Sequence, residues 1–139
     1  MFLLISEFIH FGLGLLIGLV GYWIWKDKKL IWISLIVSIF IDLDHLVDYW
    51  IYLGRLDFNP VRFFAAEYFA ISRKFYIIFH GYEYPFILFC LSFIFKKYRK
   101  YLLIGGAAIL GHLLLDVASN GVYFLNYSLI FRIANNFSF

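Results

Sequence analysis

Four groups of histidines and carboxylates interrupt otherwise apolar stretches of this chain: His10; Asp42, Asp44, His45 and Asp48; His80 and Glu83; and His112 and Asp116. Imidazole and carboxylate without thiolate form the donor set of a zinc-type centre, and both are also general acids and bases. A lone charge near the middle of a bilayer costs about 2.5–3.5 kcal/mol on insertion scales, so several in one small bundle would cost on the order of 10 kcal/mol if each stood alone. A bound cation with imidazole partners is the most economical way to neutralise them.

The elements that carry these groups are read as membrane helices. The 139 residues are 64% hydrophobic and only 15% charged, where a soluble domain carries about 25% charged residues. Apolar runs approaching the roughly 20 residues needed to cross a bilayer recur along the chain. We expect an all-α integral membrane bundle, one domain over 1–139, with four transmembrane helices at about 2–25, 30–52, 75–95 and 101–122. The start has no basic n-region and contains Glu7, so the first apolar stretch is expected to stay in the mature chain rather than serve as a secretory signal. The lone cysteine, Cys90, excludes an intramolecular disulfide and any multi-cysteine zinc motif.

Dense basic clusters at 26–29 and 96–100 separate the first span from the second and the third from the fourth. The positive-inside rule then puts both clusters in the cytoplasm and both termini outside, in the cell (inner) membrane. The net charge of +3 is too small and scattered to argue for nucleic acid, and it suits anionic lipid headgroups. Between the second and third spans, Asn59-Pro60 reads as a helix start, with Asn as N-cap and Pro at the first helical position. Val61, Phe64, Ala65, Tyr68 and Phe69 then share one side, and Arg62, Glu67 and Arg73 point to water, which predicts a short interfacial helix. The tail after Gly121 is expected to form a further short interfacial piece.

Helical geometry predicts that the polar groups converge. At about 100° per residue, His10, Gly14, Gly18 and Gly21 lie within about 80° of one another, a stripe of small residues suited to close packing. Gly105, Ala108, His112, Asp116 and Ser119 form a second such stripe, with His112 and Asp116 at i and i+4. His80 and Glu83 are read as i and i+3 neighbours on one helix. The second and fourth spans carry their groups late and the first and third carry theirs early, so an antiparallel bundle brings all four to one leaflet, opposite the basic loops. Asp48 and Glu7 are read as wet residues near span ends.

The order His10, then Asp42-Leu43-Asp44-His45-Leu46, then Phe79-His80-Gly81-Tyr82-Glu83, then Gly111-His112-Leu113-Leu114-Leu115-Asp116 resembles the bacterial and archaeal membrane-bound metal-dependent hydrolase family, also described as LexA-regulated, hydrolase-like inner membrane proteins. That family is distantly similar to zinc-dependent phospholipase C. Its D-x-D-H motif is often preceded by Pro, where this chain has Ile41. The resemblance implies metal-dependent hydrolysis without fixing a substrate.

The donor types suit zinc, as one or two ions, with manganese or iron as alternatives. The expected ligands are His10, Asp44, His80, His112 and Asp116, with Asp42 completing the set or bridging to a second ion. Glu83 is expected either as the general base that takes a proton from the attacking water or as a ligand, and His45 as a residue that orients an aspartate or meets a leaving group. A site just below the interface of the extracytoplasmic leaflet favours a lipid-borne ester or phosphoester, with Arg73 and Lys74 near the headgroup. The rivals are a proton or metal-ion transporter and a non-catalytic protein whose metal staples the helices.

Overall fold

The computed structural model describes residues 2–65, 67–72 and 74–138. It is all-helical, with no β-strand among the described residues. The helices are α1 (Phe2–Trp25), α2 (Lys29–Phe40), α3 (Asp44–Leu53), α4 (Pro60–Ala65), α5 (Glu67–Ser72), α6 (Glu83–Ile94), α7 (Arg99–Asn120) and α8 (Leu129–Ala134). A 3₁₀ turn over Ile41–Leu43 joins α2 to α3 without a break, so the two form one rod. Tight winding inside a longer helix often marks a functional position, and here it carries Asp42.

Among the described residues, three helices are long and apolar enough to cross a membrane: Ile5–Trp25, Lys29–Leu53 and Lys96–Asn120. The expected third span differs. Only Glu83–Ile94 is helical there, and residues 75–82 run as an irregular arm. His80 therefore precedes α6 and does not share a helix face with Glu83, as helical periodicity had implied. Such backbone is tolerated at membrane depth only where its polar groups are satisfied inside the protein. They are: Tyr76 N–H donates to Asp48 Oδ1 at 2.9 Å and Phe79 N–H to Asp44 Oδ2 at 2.6 Å. The Tyr84 hydroxyl donates to Ile78 O at 2.9 Å, and Tyr82 N–H to Tyr127 O at 2.9 Å.

The stripes of small residues do what their spacing implies. A Cβ on Gly18 would lie 2.7 Å from Ile31 Cα, so only glycine lets α1 and α2 approach this closely. Ser34 adds a hydrogen bond from its hydroxyl to Gly14 O at 2.7 Å. The α7 helix packs against α1, α2 and α6, placing its buried Gly105, Ala108, His112 and Asp116 at the centre of the bundle. At one end Asp27 joins the two basic loops, 2.6 Å from Lys100 Nζ and 2.8 Å from the Tyr101 hydroxyl.

Asn59 caps α4 as expected, its side-chain oxygen accepting the Val61 and Arg62 amides at 3.0 and 3.3 Å. The tail folds into a 3₁₀ turn at Phe124–Tyr127 followed by α8. It is not a simple surface piece, because Arg132 of α8 is only 1% exposed. Arg73 lies outside the described residues, and Lys74 is exposed.

Candidate metal centre

The α1 helix supplies Glu7 and His10, the 3₁₀ turn Asp42, the first turn of α3 Asp44 and His45, the arm His80, and the last two turns of α7 His112 and Asp116. All of them meet. His10 Nε2 lies 3.3 Å from Asp116 Oδ1, while His80 Nε2 and His112 Nε2 lie 3.5 and 3.4 Å from Asp116 Oδ2. The same two ring nitrogens lie 3.3 and 3.2 Å from Asp42 Oδ1, with His45 Nε2 at 3.4 Å from that oxygen. The His10 and His112 rings stack at 3.8 Å between centroids.

These spacings are too long for charge-assisted hydrogen bonds, which run about 2.7–2.9 Å. They match instead the separation of about 3.3 Å between two donors held at roughly 2.0–2.1 Å from one tetrahedral ion. Hydrogen-bond accounting agrees. Both ring nitrogens of His10 and of His112, and Nε2 of His80, are buried without a hydrogen-bond partner in the structure. Buried polar atoms are ordinarily satisfied, so imidazoles with bare inward nitrogens beside carboxylates indicate something that belongs between them. The buried histidine and aspartate groups could hold a metal ion, as His10 with His112 and Asp116, and as Asp42 with His45 and His80.

Burial grades across the cluster. His80, His112, His10 and Asp116 are buried, whereas Glu7, Asp42 and His45 are half-buried and form its more accessible side. Counting about 1.5 Å per residue along α7, His112 lies roughly 18 Å from the Lys100 end and Asp116 roughly 24 Å. Against a hydrocarbon core of about 30 Å, that depth is the half of the bundle remote from the basic loops.

Several residues take roles that differ from those expected. Asp44 stands behind His80 rather than facing the other donors: its Oδ2 lies 3.1 Å from His80 Nδ1 and also accepts the Phe79 amide. That is the arrangement in which a carboxylate fixes the tautomer of a metal-binding imidazole. His45, expected outside the ligands, lies 3.4 Å from Asp42 Oδ1, in one of the groups that could hold an ion. Glu7 is not simply wet, because its carboxylate joins His10 and Asp42 in a third group able to hold an ion. Asp48 is buried and holds the arm through Tyr76.

Glu83 is the clearest correction. Its carboxylate accepts the Ser128 hydroxyl at 2.5 Å and the Leu129 and Ile130 amides at 3.0 and 3.1 Å. Both oxygens are thus committed to the start of α8, where negative charge is favoured, and not to the cluster. The i and i+3 spacing from His80 misled because the chain between them is not helical. Arg132 had no signal in the sequence, since its partners lie some fifty residues away. Glu7 did have one: it stands three residues before His10, on the same face of α1.

No family model, curated protein or solved structure matches this chain.

Proposed function

We propose that this chain is a membrane-embedded, metal-dependent hydrolase that cleaves a lipid-borne ester or phosphoester, with zinc as its metal. The observation that carries the reading is the convergence of His10, His45, His80 and His112 with Asp42 and Asp116 at 3.2–3.5 Å, with Nε2 of His10, His80 and His112 buried and without a hydrogen-bond partner. Nitrogen and oxygen donors without thiolate suit zinc, with manganese or iron as the alternatives. A divalent cation here supplies positive charge against the charge that develops on the reacting ester oxygens, and it acidifies water.

The chain's own groups do the rest. Asp44 holds His80 in one tautomer. Glu7, on the more accessible side, takes the proton from the attacking water and returns it to the departing alcohol oxygen. Water adds to phosphorus or carbonyl carbon, the bond to the alcohol oxygen breaks, and the alcohol leaves with the proton.

A lipid substrate is supported by an apolar cleft of about 370 Å³ lined by Val37, Phe40, Ile41, Phe79, Tyr84, Ile87, Leu88 and Ile109. Ile41 and Phe79 are the chain neighbours of Asp42 and His80, so an acyl chain in the cleft brings its ester to the cluster. We place the site in the extracytoplasmic leaflet of the cell (inner) membrane, with the basic loops in the cytoplasm. The arm and α6 together make the fourth crossing: twelve helical residues span about 18 Å, and the arm carries the chain further along α3, past Asp44 to Asp48.

Hydrolysis is favoured over transport because, among the described residues, the other half of the bundle buries no histidine or carboxylate. Its buried hydroxyls are those of Ser34, Ser38 and Ser92, and two of them, Ser34 and Ser92, are spent on the backbone oxygens of Gly14 and Phe89 at 2.7 Å each. Elemental analysis of purified protein, followed by a panel of phosphodiester, phosphomonoester and carboxyl-ester lipids, tests the proposal. Stoichiometric metal with cleavage of one class is the result expected. Absence of metal, or a saturated metal with no cleavage and with ion flux in vesicles, overturns it.

A further inference from the structure

Arg132 is a buried cation in a protein read as membrane-embedded, and burying it is costly unless its donors are used. It forms no ion pair among the described residues. Its two terminal nitrogens instead donate to backbone carbonyls of the arm, one to Ile77 O and the other to His80 O at 2.7 Å. These carbonyls lie at the start of the arm's final stretch and at His80 itself. The guanidinium thus clamps the one segment of the cluster that has no helix to hold it.

The clamp is anchored in turn. Arg132 stands on α8, whose first turn is tied to the start of α6 through Glu83. The arm is gripped from both sides: Asp44 and Asp48 take its amides, and Arg132 and Tyr84 take its carbonyls. Asp44 fixes the His80 ring and, through the Phe79 amide, the backbone just before it, while Arg132 holds the carbonyls of Ile77 and of His80 itself. A planar fork with fixed spacing can hold two carbonyls at once, which an ammonium on a flexible stem does less well.

We infer that Arg132 is a positioning residue for His80, setting the aim of its Nε2 toward Asp42 and Asp116 without touching the metal. This rests on the metal reading above. The test uses the full chain in detergent, titrated with Co²⁺ alone and followed by visible absorption. Arg132→Lys should lower Co²⁺ affinity about 10–100-fold, the usual effect of losing a group that orients a ligand, and should alter the spectrum. In a His80→Ala background the same substitution should change affinity by less than about twofold, because the two act through one contact. Arg132→Gln, which keeps a donor without the buried charge, carries the same cycle should the lysine variant fail to fold.

Wild-type affinity and spectrum in the Arg132 variants, or equal losses with and without His80, would overturn the role of Arg132 while leaving the metal centre intact. A wild-type chain that binds no Co²⁺ removes the metal reading itself, and this inference with it.

Discussion

Asp44 Oδ2 lies 3.1 Å from His80 Nδ1 and accepts the Phe79 amide at 2.6 Å, so one carboxylate fixes both the ring of His80 and the backbone beside it. Asp44→Asn keeps the shape but removes the charge that makes the ring a better donor. Metal affinity should fall about 10–100-fold at unchanged stoichiometry. Competition against a chromophoric chelator measures this, and a variant that loses all metal would return Asp44 to the ligands.

His112 and Asp116 should behave differently. Each lies 3.2–3.5 Å from donors on other elements, and no thiolate is near to substitute. His112→Ala or Asp116→Ala should remove most of the metal on elemental analysis. Full occupancy in both variants would end the ligand assignment.

Glu83→Gln separates a structural carboxylate from a catalytic one. The amide cannot accept the Ser128, Leu129 and Ile130 donors as the carboxylate does. Loss of a helix-start interaction is typically worth about 1 kcal/mol, which lowers the thermal midpoint by a few degrees. Metal content should stay at the wild-type level. A loss of turnover with unchanged melting would instead restore Glu83 as the base.

The stripe on α7 was legible because a regular helix makes i and i+4 neighbours out of His112 and Asp116, and the small residues beside them mark the packed face. The same rule misplaced Glu83. Phe75, Tyr76, Ile77, Ile78 and Phe79 are as apolar as a membrane helix, and composition does not reveal that carboxylates thirty residues earlier will take their amides. Asp44 and His45 both belong to the D-x-D-H run, yet only the path of the arm decides which faces the other donors. Arg132 needed the packed tail, a long-range fact, whereas Glu7 could have been read from its place three residues before His10 on α1.

Asp27 offers a pH test at the opposite end. Its carboxyl is held down to about 2 by Lys100, then by the Tyr101 hydroxyl and the Lys29 amide, from an ordinary value of 3.8. A depressed carboxylate stabilises the fold fully above its unfolded pKa, and that contribution is lost as pH falls through the folded value. Wild type should melt above Asp27→Asn near pH 5, and the gap should close as pH drops toward about 2. High salt should narrow it as well, since the pair is at the surface. A gap independent of pH would show that the carboxylate's charge is not what joins the two loops.

The cleft beside the cluster provides the sharpest test of substrate class. Leu88 and Ile109 line it from α6 and α7, while none of the cluster residues does. Leu88→Trp should fill much of a 370 Å³ space and leave the metal bound. If an acyl chain occupies the cleft, cleavage of long-chain lipid esters should fall at least tenfold, about 1.4 kcal/mol in transition-state binding. A water-soluble short-chain ester, which has no tail to seat, should be cleaved at the wild-type rate. Equal loss on both substrates would mean that the tryptophan disturbs the cluster, and metal analysis of the same sample would reveal it. Equal retention on both would place the acyl chain elsewhere, along the outer faces of α1 or α3.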